Sequence, residues 1–333
     1  MVSTLVACSP PIILEDTGGD SDSPADSTGS PCAGDGCDSG GPSVPPNPST
    51  TTPGNPTTTT AGPTSATSPT GLDDSSGGTM AFCADQLDCA SGYCLSFSDA
   101  PPDENAVCES PPAGGATRVT GTVRSISTQV SAPGVSVAVA SAIDAAINPF
   151  GVTPFAEGVT DNAGMVDVTS SGPLSAAIGV VAIAQREGFA LTLTGVASEI
   201  PGGDYGPGND VHDIWLVSTA DLEQWNDLMA SDVAAMPYLP VGEQGGLVGL
   251  VRAPDGSPVE GAVVASSSPD SAAVIRYVAP GDVVGGATTS TGVFIVLNPA
   301  LAETFTASGP TGETSFVAGS AAGVVFAAAP ILP

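Results

Sequence analysis

The sequence contains no lysine and only one histidine, and its five basic residues, all arginines, face 35 acidic residues for a formal net charge of −30. A surface of this sign repels phosphate backbones and anionic lipid headgroups, so we predict no nucleic-acid partner and no electrostatic membrane docking. The lack of lysine excludes a Schiff base, a phosphate-loop lysine and a lysine–asparagine isopeptide crosslink. One histidine cannot supply the imidazoles of a zinc peptidase, so the sequence predicts no catalytic metal or cofactor.

His212 is the one residue that could act as an imidazole base, and Asp210 and Asp213 flank it. A Ser-His-Asp arrangement is formally open, but the chain has no G-x-S-x-G elbow to present the serine. We therefore predict no enzyme activity and keep a hydrolase that uses His212 as the alternative. Oxygen ligands are concentrated in the same loop, which is either a calcium or ligand site or an acidic connection before a strand. Its candidate ligands are Asp204, Asp210, His212 and Asp213.

Aromatic residues are also scarce, with two Trp, four Tyr and nine Phe in 333 residues. A carbohydrate-binding surface needs exposed aromatic rings for stacking, so the chain offers few candidates for such a platform. The candidates are Tyr205, Tyr238 and Trp215.

Glycine and proline are abundant, at 42 and 32 residues, and both sit badly inside helices, so long helical architectures are disfavoured. From Thr117 onward Val, Thr and Ala alternate with other residues, which predicts strands and an all-β fold class. The only helical pattern runs from Ser218 to Met236, where a capping box opens the segment and Pro237 ends it.

The strand-rich region repeats itself at a nearly constant spacing, which indicates a duplicated domain. Three pairs of segments match at offsets of 128, 127 and 128 residues. They are Val119–Val123 with Leu247–Val251, Gly134–Val137 with Gly261–Val264, and Thr160–Gly164 with Thr288–Gly292.

The order V-x-G-x-V, then Pro and Gly-Val-x-Val, then T-D-x-x-G and an apolar strand, resembles the carboxypeptidase regulatory-like domain. The resemblance covers Val119 to Val217 and Leu247 to Leu332. It implies a transthyretin-like antiparallel sandwich of about seven short strands that is non-catalytic and often stands in surface arrays or beside peptidases. Two features depart from the family pattern: Thr289 replaces the turn aspartate, and neither copy carries the usual Pro-Gly-x-Tyr approach to the next strand.

The segment Leu5-Val6-Ala7-Cys8 resembles the lipobox of bacterial lipoproteins, in which the cysteine is lipidated. Four residues precede this box, whereas a signal needs a basic region and a longer apolar run, so we expect the start to be truncated or called too late. The resemblance implies an exported protein that is lipid-anchored through Cys8 to the outer membrane or cell surface; the alternative is an incidental cysteine. Residues 9–80 are rich in Pro, Ser, Thr, Gly and Asp, which predicts a disordered tether.

Lipidation of Cys8 would leave an even number of cysteines, which favours disulfides in an exported chain. We expect Cys32 and Cys37 to close a short local loop. The other four cysteines lie in 81–110 and allow three pairings among which the sequence does not choose. They are Cys83, Cys89, Cys94 and Cys108.

The predicted plan is an all-β chain with two tandem antiparallel β-sandwiches after a disordered tether and a small disulfide-rich module. Its parts are a remnant signal and lipobox (1–8), the tether (9–80), the disulfide-rich module (81–110), the first sandwich (117–217), a connecting helix and linker (218–243) and the second sandwich (244–333).

This plan predicts a non-catalytic cell-surface lipoprotein, a structural or adhesive binding module for an unknown protein or glycan. The alternative is an accessory docking subunit of a secreted peptidase or polysaccharide system.

Overall fold

The structure is a computed structural model that describes residues 83, 88–91, 93–176, 178–197, 208–209, 213–269 and 271–333. All of these residues belong to one compact unit. The predicted lipobox with Cys8, the tether, and the cysteines Cys32 and Cys37 lie outside the described residues.

The disulfide-rich module, called the knot below, is built on two short antiparallel strands, β1 (Cys94–Leu95) and β2 (Val107–Cys108). Cys83 is bonded to Cys94, and Cys89 to Cys108, which selects one of the three possible pairings. The knot has only a small buried cluster of its own. Such a short segment cannot build an adequate apolar core, so the two covalent links take over that role.

The described residues of the first repeat form eight strands and one short helix. They are β3 (Arg118–Ser125), β4 (Ser136–Ser141), α1 (Ala142–Ile147), β5 (Ala156–Val159), β6 (Met165–Thr169), β7 (Val180–Gln185), β8 (Thr192–Ala197), β9 (Gly208–Asn209) and β10 (Ile214–Leu216). A longer helix, α2 (Thr219–Met229), follows. The second repeat contains β11 (Leu247–Leu250), β12 (Val263–Ser266), β13 (Val274–Ala279), β14 (Asp282–Val284), β15 (Val293–Leu297), β16 (Glu303–Gly309), β17 (Gly312–Ala318) and β18 (Val325–Ala328).

Each repeat folds into two packed layers, which confirms the all-β fold class. In the first sandwich, the sheet β10-β3-β6, with β9 beside β3, packs on β5-β4-β7-β8 around a core of small and branched side chains. In the second, β14-β13-β15-β11-β18 packs on β12-β16-β17 around larger ones, including Phe294 and Phe305. Most neighbouring strands are antiparallel, but β10 runs parallel to β3, and β18 runs parallel to β11.

The two sandwiches share a sheet, a feature absent from the plan of two tandem domains. Strand β18 of the second repeat pairs in parallel with β8 of the first, so that one nine-stranded sheet runs from β14 to β5. Alternate residues of β7 therefore face different cores: Val180 and Ala182 face the first, whereas Val181 and Ile183 face the second. Burial on both faces explains why Val180–Ala184 is a continuous apolar run rather than an alternating one.

The repeated threonines make the same contacts in both copies. The hydroxyl of Thr160 accepts a hydrogen bond from the Val135 amide at 2.9 Å, and that of Thr288 accepts one from the Ala262 amide at 2.8 Å. The Thr160 hydroxyl also donates to the Ala132 carbonyl, and the Thr288 hydroxyl donates to the Val259 carbonyl. In both copies this carbonyl lies three residues before the amide. Both threonines are buried, so the offset of 128 residues corresponds to equivalent positions in two similar folds.

The departure at Thr289 has a structural consequence. In the first copy Asp161 accepts two amide hydrogen bonds within its own turn, both at 2.9 Å. In the second copy the hydroxyls of Thr289 and Thr291 instead donate to the Val278 carbonyl at 2.6 and 2.7 Å. These hydroxyls bind the turn to β13, and β13 pairs with β15. In the first copy the strand that precedes the turn is β5, which pairs with β4 in the opposite sheet.

Helix α2 is shorter than the helix predicted from Ser218 to Met236. Ser218 caps it by accepting a hydrogen bond from the Asp221 amide at 3.0 Å. Its apolar face buries Leu222, Trp225 and Met229 against the shared sheet. The helix ends at Met229, and a separate turn follows, in which Asp232 accepts hydrogen bonds from the Ala234 and Ala235 amides.

Helix α1 was not predicted, because its six residues are too few to show a helical periodicity. It fills the connection between β4 and β5, and its alanines pack against the core of the second repeat. Among the described residues, no helix is both long enough and apolar enough to cross a membrane.

The substitution Gly249→Ala tests the packing of the second sandwich. Gly249 lies on β11 opposite Phe294, and a Cβ there would overlap the buried Phe294 ring. We expect the free energy of unfolding to fall by at least about 2 kcal/mol, because a well-packed core must shift to accept the extra atom. Urea denaturation followed by tryptophan fluorescence measures this loss.

Gly195→Ala is the matched control, because Gly195 also lies within a strand but has no atom within 4 Å of an added Cβ. It should leave stability unchanged or raise it slightly. Equal effects of the two substitutions would contradict the described packing.

Candidate functional site

The structure describes only one of the four residues of the predicted calcium or ligand loop. Asp204, Asp210 and His212 lie outside the described residues, so the loop and the hydrolase alternative remain predictions. Asp213 is described, and its side chain is fully buried immediately before β10. Both of its carboxylate oxygens are bonded to arginines.

Those two arginines occupy equivalent positions in the repeats, 128 residues apart. Arg124 follows the V-x-G-x-V strand of the first copy, and Arg252 follows its counterpart in the second. The Arg124 Nε donates to Asp213 Oδ1 at 3.1 Å, and the Arg252 Nη1 donates to Asp213 Oδ2 at 2.7 Å. The duplicated arginines thus converge on a single carboxylate.

Arg252 is 1% exposed and joins three parts of the chain. It reaches the knot through Asp99 (3.1 Å) and the Ala100 carbonyl (3.2 Å), and the end of the second repeat through the Ala329 carbonyl (3.2 Å). Its guanidinium also lies 4.9 Å from the ring centre of Trp215 in the first repeat. We call Arg252, Asp213, Asp99 and Trp215 the junction cluster.

The knot is also bound directly to the first sandwich. Thr120 and Thr122 project from the face of β3 away from the core, and their hydroxyls donate to the Ser96 and Phe97 carbonyls, both at 2.7 Å. Arg118 adds exposed ion pairs with Glu109 and Asp167. The alternation of threonine and valine in β3 therefore serves two surfaces, the knot and the core.

Burial raises the pKa of Asp213 to about 7, and the adjacent carboxyl of Asp99 acts in the same direction. Arg124 and Arg252 oppose this shift but do not cancel it. Two carboxyl groups close enough to share a hydrogen bond cannot both ionise without repulsion. The junction cluster therefore changes its proton content near neutral pH.

Trp215 was one of three candidate rings for glycan stacking, and its burial removes it from that set. It is 1% exposed, and its ring is covered by Arg252. Tyr238 is half-buried, and Tyr205 lies outside the described residues. Burial of Trp215 follows from its position on β10, which lies at the contact between the repeats.

A cleft of about 700 Å³ opens where the two repeats meet. Buried apolar side chains form its floor: Leu222, Val241, Val324 and Val325. Phe150, from the loop after α1, stands at its rim and is 74% exposed. A Cβ at Gly323 would meet the Phe150 ring at 3.8 Å, so a residue of the first repeat lies beside the second.

The charged side chains that line this cleft form no ion pairs within the described part of the chain. Arg186 lies over the Phe189 ring at 5.7 Å and, among the described residues, has no carboxylate partner. The exposed carboxylates of Glu187, Glu223 and Glu243 also line the cleft without an arginine partner in the described part of the chain. The cleft thus combines an apolar floor, two aromatic rings and a net negative lining.

Of the two sites, the junction cluster had a signal in the sequence that was not used, and the cleft had none. The repeat alignment that ends at Val123 and Val251 continues with an arginine in each copy, which marked Arg124 and Arg252 as equivalent. Phe150 and Arg186 carried no such signal, because their cleft is formed by the contact between the repeats.

No family model matches this chain, and no curated protein matches it. Among solved structures it is similar to the shaft pilin spaA of Lactobacillus rhamnosus GG, with 10% identity, 66% of this chain and 98% of that chain covered, and a TM-score of 0.19. It is also similar to the TIE protein of Bacillus anthracis, with 10% identity, 66% of this chain and 34% of that chain covered, and a TM-score of 0.18. For a streptococcal ancillary pilin the identity is 12%, the coverage is 66% of this chain and 63% of that chain, and the TM-score is 0.17. Identities and TM-scores this low assign neither a family nor a function.

The substitution Arg252→Met tests whether the junction cluster holds the repeats together. At a pH of about 8, where Asp213 is ionised, it leaves the buried carboxylate without its closest charge partner, so we expect a loss of about 3–5 kcal/mol in the free energy of unfolding. Urea denaturation measures this loss.

Arg276→Met is the matched control, because Arg276 pairs with Asp232 at the surface, where both side chains are partly exposed. We expect a much smaller change there, since water screens the pair. A similar loss from both substitutions would show that Arg252 has no special role.

The raised pKa of Asp213 predicts how stability depends on pH. An unfolded aspartate titrates near pH 4, whereas folded Asp213 titrates at about 7, so the folded chain retains a proton that the unfolded chain releases. The contribution of Asp213 to the free energy of unfolding therefore falls as the pH rises from about 4 to about 7.

Asp213→Asn removes this titration. Relative to the parent, the variant should become progressively more stable between pH values of about 4 and about 7, as measured by urea unfolding at each pH. A difference between parent and variant that stays constant over this range would contradict the assignment.

Proposed function

We propose that this chain is a non-catalytic cell-surface lipoprotein whose joined sandwiches act as a structural and adhesive binding module. Lipidation at Cys8 anchors it, and the segment 9–80 holds the module away from the membrane. The observation that carries this proposal is the fusion of the two repeats through one nine-stranded sheet. Such a continuous hydrogen-bonded body suits a module that must keep its shape while a partner pulls on it.

The use of the charged residues supports the same proposal. Four of the five arginines form ion pairs within the described part of the chain, and those of Arg124 and Arg252 join separate elements at the junction cluster. The buried charges thus contribute to the architecture rather than to a reactive centre.

Export is supported by the two disulfides of the knot, because such bonds persist in oxidising compartments and are rare in the cytosol. The strongly acidic composition favours solubility at a crowded surface. A carboxypeptidase regulatory-like identity of each sandwich is part of the proposal and rests on the sequence motifs.

An accessory docking subunit for a secreted peptidase or polysaccharide system is the second candidate. The open cleft between the repeats favours it, because such a subunit needs a surface for its client. Crosslinking of intact cells, followed by identification of the captured protein, would separate a client enzyme from a partner on another surface.

Lipid anchoring is tested by the substitution Cys8→Ser in the chain expressed from its native locus. We expect the parent to incorporate an alkyne fatty acid and to fractionate with membranes, and the variant to do neither, because only the cysteine thiol accepts the lipid. Protease treatment of intact cells then shows whether the parent is exposed at the surface. A Cys8→Ser variant that still carries the fatty acid would contradict the anchor.

A further inference from the structure

The cleft between the repeats has the physical features of a binding surface. Its volume of about 700 Å³ falls within the range of known ligand sites, and buried apolar side chains form its floor. Single exposed apolar residues are common on proteins, but Phe150 stands at the rim of this cleft with most of its ring in water. An occupant would cover both the ring and the floor.

The lining selects the charge of the occupant. Three glutamates and one arginine line the cleft, so it is net negative, and the whole chain carries a formal charge of −30. This field attracts a cationic partner and repels an anionic one. Arg186 over Phe189 shows that a ring of the cleft already accepts a guanidinium.

Several occupants are inconsistent with these charges. Nucleic acids and anionic lipid surfaces carry the wrong sign. A second copy of this chain has no lysine to offer, and its four arginines other than Arg186 are already held in ion pairs. The occupant must therefore come from a different protein.

We propose that this cleft binds a basic peptide segment of a partner protein, with lysine or arginine side chains interleaved with apolar ones. The apolar side chains lie on the floor near Leu222 and Val325, and the long basic side chains reach outward to the glutamates and the Phe150 face. This inference rests on the proposed binding role and names the site and the chemistry of its partner.

The test uses the full chain and a fluorescein-labelled hexapeptide of alternating leucine and lysine with blocked ends. Binding is followed by fluorescence anisotropy at low and high salt. We expect the affinity for this peptide to weaken as salt rises, because the contacts are charge pairs near the surface. The same peptide with glutamate in place of lysine should bind at least tenfold more weakly.

The variants test the cleft residue by residue. Glu223→Gln and Glu243→Gln should each weaken the lysine peptide by roughly fivefold, as expected for the loss of one exposed charge pair. Glu260→Gln and Glu313→Gln are matched controls, because both glutamates are exposed but do not line the cleft, and they should change the affinity little.

Phe150→Ala should weaken binding through loss of the ring face, whereas Ile147→Ala, at a neighbouring position that is 75% exposed, should not. Circular dichroism of each variant confirms that the fold is retained.

Arg186→Gln gives the most discriminating result, because the charge of the peptide decides whether this substitution raises or lowers the affinity. Removing this cation should tighten the lysine peptide by roughly fivefold. Weaker binding of the lysine peptide by this variant, or tighter binding of the glutamate peptide by the parent, would overturn the proposal.

Equal affinities for the lysine peptide in the cleft variants and in the control variants would also overturn it. A parent chain that is displayed and lipid-anchored on cells but binds no lysine peptide would refute this inference alone and leave the proposed surface role standing.

Discussion

The backbone pairing of β8 with β18 is the interaction on which the rest of the described structure depends. Each of these strands would otherwise be an edge of its own sandwich, with unpaired amides and carbonyls open to other chains. Their parallel pairing covers both edges and extends one sheet across both repeats. It also brings Leu193 of β8 into the core of the second repeat, and it creates the cleft where the two repeats meet.

The burial of Arg252 is explained by its position where the knot and the two repeats meet. Removing a guanidinium from water is unfavourable unless several acceptors replace the lost hydration, and Arg252 has two carboxylates and two carbonyls. Because these acceptors come from the knot, the first repeat and the second, all four hydrogen bonds from Nη1 and Nη2 form only when the three parts are in place. The equivalent Arg124 is more exposed, with 24% of its side chain in solvent, so the duplicated positions have diverged in role.

The fold class could be predicted from local patterns, because alternation, turn residues and the repeated Thr160 and Thr288 positions are written in short segments. The contact between the repeats could not. A parallel pairing of two edge strands has no connecting turn and follows no spacing rule, so the sequences of β8 and β18 do not predict that they pair with each other. The apolar run of β7 was the available clue, since burial on both faces implies a second layer.

The two candidate sites differ in the same way, because one has a local sequence signal and the other is formed by the contact between the repeats. Arg124 and Arg252 were readable from the repeat, whereas the cleft residues Phe150 and Arg186 come together only through the contact between repeats. Trp215, one of the three candidate rings for glycan stacking, lies buried beneath Arg252, a contact that no local pattern indicates.

Hydrogen–deuterium exchange of the amides in β8 and β18 tests the central claim most directly. If the shared sheet joins the repeats into one body, amides such as that of Val325, which donates to the Leu191 carbonyl at 3.0 Å, exchange only on global unfolding. Their protection then matches that of interior strands such as β15. Rapid exchange in β8 and β18, with protection retained inside each sandwich, would show that the repeats are independent domains and would contradict this account.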